Sequence, residues 1–399
     1  MRGKYLTLEV KNIGGNNMNH ITVDINPDVL QWAIDKKETG DIKNKFPKIG
    51  EWLKGTSKPT IHQLENFAKY VSVPFGYLFL SKPPEEKAPL PHFRTLSAGI
   101  SNISSELYEA IMELKKRQAW MREYLIDNGY KPLTFVSSRS KDSPVKSIVE
   151  DIKRTLELHD NWAEKQTNWS AALNFLQQKV EEIGIIVVKS GIVGNNTRRK
   201  LDVSEFRGFV LVDEYAPFIF INAADGKAAQ MFTIAHELAH IWLGRSASFD
   251  LRNLQPARDE IEQICDKVAA EFLVPEGSLR VYWNEIKTQP RSEIYQLLAR
   301  KFKVSEIVCA RRLFDLDLIN KKDFSDFYED YQNQVRTKTA RQGGGDFYAT
   351  LNLRLGRRFG ETVIQAVKEG KLLYKEAYRL TGCYGKTFDN FMLNKSSAL

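Results

Sequence analysis

One stretch, Phe232-Thr-Ile-Ala-His-Glu-Leu-Ala-His-Ile-Trp-Leu-Gly244, constrains the fold more than any other part of this 399-residue chain. On a helix, His236 and His240 lie one turn apart on the same side, and the apolar residues of the stretch lie on the opposite side. Gly244 stands where the C-terminal cap of a helix is expected. The pattern therefore predicts a helix that buries an apolar back and presents two imidazoles.

Two histidines with this spacing can bind one Zn²⁺, and a catalytic zinc site needs a third protein ligand and a position for water. Glu262, on a second predicted helix, can supply the third ligand. Asp266 lies one turn later and can accept a hydrogen bond from the non-ligating nitrogen of a zinc histidine. Glu237 points about 100° away from His236 around the helix, which places it to take a proton from water at the metal. The two alternatives are a surface helix with solvated histidines and a metal site that has lost its chemistry.

The two blocks together resemble the ImmA/IrrE family of zinc metallopeptidases. The second block, Glu262-Gln-Ile-Cys-Asp-Lys-Val-Ala-Ala-Glu-Phe-Leu-Val-Pro275, is similar to the family pattern E-x-x-A-N-x-F-A-x-x-L-L-M-P. It departs from the pattern at Val268 and at Cys265 and Asp266, where Ala and Asn are usual. Aspartate keeps the hydrogen-bond acceptor. Cys265 is interpreted as a small buried residue in place of Ala, with a thiolate near the zinc as the alternative.

The resemblance implies a zinc-dependent endopeptidase. Its substrate would be one particular transcriptional repressor, an Xre-type repressor or the product of a neighbouring gene, and cleavage would derepress stress or mobile-element genes. A rival hypothesis is a DNA-binding regulator or an antitoxin-like component of a two-gene module, in which the zinc fold serves as a scaffold.

The N-terminal region carries a second resemblance. The stretch Trp52-Leu-Lys-Gly-Thr-Ser-Lys-Pro-Thr-Ile-His-Gln-Leu-Glu-Asn-Phe-Ala is similar to the second half of the Xre-type helix-turn-helix. Only eleven residues separate Gly40 from Trp52, too few for a full second helix, turn and recognition helix. The region is therefore predicted to be a degenerate helix-turn-helix that either contacts DNA or has a docking or structural role. Five lysines are candidates for phosphate contacts: Lys43, Lys45, Lys48, Lys54 and Lys58.

The remaining patterns predict an α+β fold, a mostly helical multidomain chain with a small β-sheet and a zincin-like peptidase core. Apolar periodicity predicts helices over residues 103–128, 145–158 and 171–183. Short β-branched and aromatic runs predict strands over 185–188, 208–212 and 218–222, the last two forming a hairpin that leads into the metal helix. Residues 190–203 are predicted to be a solvated loop, with a lid or a substrate-binding rim as the alternative. Arg207 and Asn222 are candidate residues of the substrate cleft.

Changes of composition along the chain predict six regions. They are a helix-turn-helix domain (1–80), a Pro-rich linker (81–102), a helical scaffold (103–183), the zinc peptidase core (184–278), a small helical domain (279–340) and a C-terminal helical domain (341–399).

Composition bears on location and partners. No apolar run approaches a membrane-spanning length, and the N-terminus lacks the apolar core of a signal peptide. Three scattered cysteines suit a reducing cytosol. These features predict a cytoplasmic protein without a membrane partner. The net charge of +8 is compatible with nucleic acid or an acidic partner and requires neither.

Overall fold

A computed structural model describes residues 22–35, 42–71, 73, 75–83, 104–244, 248–249, 260–337 and 347–396. The chain divides into one compact unit of residues 1–88 and 98–108 and a second of residues 89–97 and 109–399. Most of the predicted Pro-rich linker lies outside the described residues, and the six predicted regions stay a prediction. None of the described helices is long and apolar enough to cross a membrane.

Between residues 22 and 83, the described part of the first unit forms four short helices. They are α1 (Pro27–Asp35), α2 (Ile42–Lys45), α3 (Ile49–Leu53) and α4 (Ile61–Val71), followed by a 3-10 helix (Phe75–Phe79). The Asn26 side chain accepts a hydrogen bond from the Asp28 amide at 2.8 Å, so Asn26 caps the start of α1. Helix α2 has four residues and α3 five, which agrees with the predicted shortage of residues for a full helix-turn-helix.

The predicted scaffold helices are confirmed as α5 (Ser105–Asp127), α6 (Val145–Thr155) and α7 (Trp169–Glu182). Helix α6 bears directly on the site, because its Asp151 accepts a hydrogen bond from Trp242 Nε1 at 3.2 Å. The Ser137 and Arg139 amides donate to the Ile241 and Trp242 carbonyls, each at 3.0 Å. The scaffold therefore donates to backbone carbonyls in the last turn of the predicted metal helix, where the Ile241 carbonyl also accepts from the Gly244 amide.

Four strands form the main sheet, in the order β1-β5-β4-β6. Strand β1 (Ile186–Ser190) is parallel to β5 (Phe218–Asn222), whereas β4 (Gly208–Leu211) is antiparallel to both β5 and β6 (Ser248–Phe249). The predicted strands and the hairpin of β4 and β5 are confirmed. The loop predicted over residues 190–203 is wrong, because β2 (Ile192–Val193) and β3 (Asn196–Lys200) pair as a hairpin. Gly194, at φ +53°, provides the turn between them.

After β5, the described residues of the second unit form ten helices, α8 to α17. The two that carry the predicted site are α8 (Lys227–Leu243) and α9 (Glu260–Leu273). The others are α10 (Glu276–Ile286), α11 (Arg291–Phe302), α12 (Glu306–Asp315), α13 (Lys321–Thr337), α14 (Phe347–Leu355), α15 (Arg357–Lys368), α16 (Tyr374–Thr381) and α17 (Lys386–Ser396).

One apolar core extends through the second unit from Val136 to Ile319 and includes the sheet, α8 and α9. In α8 every residue from Gln230 to Trp242 is buried. Each large apolar side chain buried here stabilises the fold by about 1.5–3 kcal/mol, which holds the helix rigidly against the sheet. The α+β class and the zincin-like arrangement, in which a small sheet packs against the buried helix that carries His236 and His240, are confirmed.

Candidate metal centre

Strand β5 leads into α8 through a short turn that a buried amide fixes. Asn222 is fully buried, its Nδ2 donates to the Phe206 carbonyl at 3.3 Å, and its Oδ1 accepts from the Ala224 amide at 3.1 Å. At the other end Gly244 has φ +70° and ends the helix, as predicted. The Asn222 side chain therefore orients the helix in this structure, and its predicted role in the substrate cleft stays a prediction.

The structure brings the three predicted metal ligands together. The Nε2 atoms of His236 and His240 lie 3.1 Å apart. The Glu262 carboxylate on α9 lies 3.0 Å from His236 Nε2 and 3.4 Å from His240 Nε2. Both histidines and the glutamate are buried. Three donor atoms from two helices thus converge on one point beneath the protein surface.

Asp266 contacts the opposite side of the same imidazole. Its Oδ1 lies 3.0 Å from His236 Nδ1, so Nδ1–H donates to the carboxylate and Nε2 is directed toward Glu262. This is the contact predicted for Asp266 with a zinc histidine. The one-turn spacing of Glu262 and Asp266 lets α9 contact both ring nitrogens of His236.

The charges at the site favour a cation. Burial alone would lower the pKa of His236, but hydrogen bonds to Asp266 and Glu262 outweigh burial and raise that pKa to about 10. Burial lowers the pKa of His240. The pKa of Glu262 is lowered. Burial acts to raise it, but hydrogen bonds from the two histidines and their charges outweigh burial. The Glu262 carboxylate and the hydrogen bond to Asp266 therefore stabilise positive charge on the imidazole of His236.

Glu237 is fully buried, and burial raises its pKa well above the usual range. Neither of its carboxyl oxygens has a hydrogen-bond partner among the described residues, and the same holds for His240 Nδ1. An unsatisfied buried polar group costs about 1–3 kcal/mol, so such a carboxyl persists where a ligand or water supplies the partner.

Zinc fits this set of donors. Ligand atoms about 2.0–2.2 Å from a tetrahedral zinc lie roughly 3.3–3.6 Å from one another. The distances of 3.0 to 3.4 Å among His236, His240 and Glu262 are close to that spacing. Two imidazoles and one carboxylate are also a ligand set of catalytic zinc, which keeps its fourth position for water.

A second group of polar residues lies near the start of β4. Arg207 Nη1 donates to Asp225 Oδ2 at 2.7 Å, so the predicted cleft residue Arg207 is held in an ion pair. Tyr331 on α13 interacts electrostatically with Arg207 and Asp225. Burial raises the pKa of Tyr331, and the charge of Glu306 adds to this effect. Sequence reasoning missed Asp225 and Tyr331. Nothing in the local pattern identifies Tyr331, because it reaches this place only through the packing of α13.

Gly208 in β4 is another residue that sequence reasoning missed. A Cβ atom there would lie 2.4 Å from Thr233 Cγ2, 2.7 Å from the Phe220 carbonyl oxygen and 3.6 Å from Glu237 Oε1. Strand β4 therefore passes so close to α8 that only glycine fits. The glycine sets the distance between the sheet and the buried Glu237 carboxyl.

Gly208→Ala is expected to lower the free energy of unfolding by about 1–3 kcal/mol, because the new methyl group overlaps a backbone oxygen that cannot move aside. Urea unfolding followed by circular dichroism measures the change. Gly277→Ala is the matched control, since a Cβ atom at this position in α10 meets nothing within 4 Å. An equal effect of the two substitutions would contradict the close approach of β4 and α8.

In the N-terminal unit the five predicted lysines are all exposed. Lys43 and Lys45 lie on α2, and Lys48 and Lys54 flank α3. Two have partners within the protein: Lys58 pairs with Asp24 at 2.7 Å, and Lys45 Nζ lies 4.4 Å from the centroid of the Tyr70 ring. Exposure makes phosphate contact feasible, and DNA binding stays a prediction.

The site lies in a part of the chain that matches a family model of known proteins. Residues 180–314 match the family model Peptidase_M78, described as an IrrE N-terminal-like domain. Residues 355–394 match a second model, described as a domain of unknown function, DUF8813. No curated protein matches the chain at a significant level. The first match includes α8 and α9, so all of the converging residues lie inside it.

Proposed function

We propose, from the premise that residues 180–314 belong to the ImmA/IrrE family of metallopeptidases, that this chain is a cytosolic zinc-dependent endopeptidase that cleaves one transcriptional repressor. The observation that carries the proposal is the convergence of His236, His240 and Glu262 beside the buried carboxyl of Glu237. A packing role alone would not leave both oxygens of a buried glutamate without a partner.

His236, His240 and Glu262 would hold the zinc, and Asp266 would fix the ring of His236 through Nδ1. When bound, zinc acts as a Lewis acid that polarises water and the scissile carbonyl. Glu237 accepts the proton of the attacking water at a carboxyl oxygen and transfers it to the leaving amine. Burial raises the pKa of Glu237, which brings the carboxyl nearer to the pKa that suits accepting and then donating a proton.

The sheet offers an extended substrate a place to bind. Strand β4 passes Glu237 at Gly208, and the outer side of β4 is paired there with the backbone of β6, Gly208 opposite Phe249 and Phe209 opposite Ser248. A substrate strand would pair antiparallel with β4 in place of β6, or add outside β6. The first arrangement places an extended backbone next to Gly208, beside Glu237, and the second places it one strand farther away.

The test of the proposal uses as substrate an Xre-type repressor encoded by a neighbouring gene, where the genome carries one. Purified full-length protein with zinc is expected to cut it at one position, with cleavage lost on chelation and restored by added zinc. Mass spectrometry of the fragments identifies the bond. A neighbouring repressor that stays intact, with no cleavage of other Xre-type repressors, would contradict the proposed substrate.

The rival proposal, a DNA-binding regulator or antitoxin-like partner that uses the zinc fold as a scaffold, draws support from the exposed lysines around α2 and α3. Under this proposal the complex with the neighbouring gene product is tight and does not depend on Glu237. DNA contact through the N-terminal unit would serve the regulator directly, and in the peptidase it would bring the enzyme to a DNA-bound repressor.

If the N-terminal unit contacts phosphates, Lys43→Gln combined with Lys48→Gln is expected to lower the slope of log affinity against log salt by about two, because each phosphate contact contributes roughly 0.9 to that slope. Fluorescence anisotropy with a duplex of random sequence measures it. Lys165→Gln, an exposed lysine of the second unit, is the control. A slope unchanged by the double substitution would exclude phosphate contact by these lysines.

A further inference from the structure

A thiol lies beside the two imidazoles. Cys265 on α9 is completely buried, and its sulfur and one nitrogen from each of His236 and His240 all lie within 4.8 Å of one another. Cys309 and Cys383 are also buried, but neither belongs to a group of possible metal ligands among the described residues. Of the three cysteines, Cys265 alone is thus placed where a metal would be held.

The position of Cys265 follows from the spacing of α9. Cys265 and Asp266 follow Glu262 by three and four residues, so each is a neighbour of Glu262 on the surface of α9, one to either side of it. Glu262 and Asp266 both contact His236, which shows that this side of α9 faces α8. The two histidines are therefore shared by two sets of donors, one completed by a carboxylate and the other by a thiol.

The surroundings also indicate a ligand at this point. Both carboxyl oxygens of Glu237 are buried without hydrogen-bond partners among the described residues. Zinc takes a cysteine sulfur at about 2.3 Å and histidine nitrogens at about 2.0–2.1 Å, which separates sulfur from nitrogen by roughly 3.6 Å in a tetrahedral site. A bound metal would therefore require the Cys265 sulfur to lie about 3.6 Å from each nitrogen, within the 4.8 Å that bounds the group.

We propose that the Cys265 thiolate is a fourth ligand of the metal in the resting protein, next to His236, His240 and Glu262. The inference rests on the zinc centre of the proposed function. Four protein ligands make a closed site of the structural kind, whereas a catalytic site keeps one position for water. The resting centre is therefore latent, and the thiolate has to leave the metal before water and substrate enter. Binding of the metal releases the thiol proton to solvent.

The test is the absorption spectrum of the full-length protein loaded with Co²⁺ alone, because cobalt bound by a thiolate has an intense charge-transfer absorption in the near ultraviolet. We expect this absorption in the wild type and its loss in Cys265→Ala, with one cobalt bound in each. Cys309→Ala and Cys383→Ala are the matched controls and should keep it. Alanine is the residue usual in the family at position 265, so this variant is expected to fold.

Zinc K-edge X-ray absorption of the wild type is a second measurement that needs no substitution. A zinc–sulfur shell at about 2.3 Å supports the proposal. Cobalt bound at one equivalent without charge-transfer absorption, or zinc with only nitrogen and oxygen neighbours, overturns Cys265 as a ligand and leaves the peptidase proposal standing. Failure of the wild type to bind either metal overturns the metal centre and this inference together.

Discussion

Glu237→Gln is expected to lower the rate of peptide-bond cleavage by at least about 10²-fold and up to about 10⁴-fold, with zinc content unchanged. The amide keeps the size of the side chain but cannot accept the proton of the attacking water. Glu237 contributes no atom to the converging donor set, so the metal should stay bound. Because Gln is neutral, the substitution also removes the carboxyl whose charged form burial disfavours, and the fold should be at least as stable.

The measurement works with a substrate that has not been identified. Wild type and Glu237→Gln are each incubated with a cell extract, and newly formed N-termini are identified by mass spectrometry. We expect one or a few new termini with the wild type and none with the variant. Glu260→Gln is the control, since this exposed carboxylate at the start of α9 pairs with Lys141 at the surface. Equal sets of new termini from the wild type and Glu237→Gln would refute the peptidase.

Zinc is expected to stabilise the second unit by about 4 kcal/mol when its concentration is a thousand times the dissociation constant, because the donors converge only in the folded state. For a unit of about 300 residues, with an unfolding entropy of roughly 2.1 cal/mol/K per residue, the shift corresponds to roughly 6 °C in Tm. His240→Ala removes one of the three donors and should abolish most of the shift. Differential scanning calorimetry with zinc and with chelator measures it.

His159→Ala is the matched control for the zinc experiment, because His159 is exposed on the same unit. Glu237→Gln serves as a second control and should keep the whole shift. A shift of the same size in His240→Ala would mean that zinc stabilises the protein at another place. The two experiments thus separate binding of the metal, which requires His236, His240 and Glu262, from proton transfer, which requires Glu237.

Local periodicity predicts the elements of the site well. The spacing of His236 and His240 and the glycine at 244 identify α8, and β4 and β5 are evident from their short apolar runs. The same reasoning misses the hairpin of β2 and β3. Its residues are mostly polar and exposed, so no apolar alternation indicates a strand there. The pairing depends on a turn at Gly194 and on backbone hydrogen bonds between neighbouring segments.

Contacts between elements are less accessible from the sequence. The charge of Arg207 makes it a candidate for the cleft, but its ion pair with Asp225 depends on the turn after β5. Asn222 is likewise predicted in the cleft. In the structure its side-chain amide donates to the Phe206 carbonyl and accepts from the Ala224 amide. Each of these outcomes depends on distances between segments that are separate in the chain.

The sequence by itself determined which side chains share a face of α8 and of α9, because the direction of a side chain around its own helix follows from 3.6 residues per turn. It thereby determined that His236 and His240 lie one turn apart on α8, and that Glu262 and Asp266 lie one turn apart on α9. Only the tertiary structure decided that α9 places Glu262 3.0 Å from His236, that Gly208 lies against Glu237 and that Cys265 joins the group. The reason is that distances between helices and strands are set by the packing of a shared core, which local periodicity does not encode.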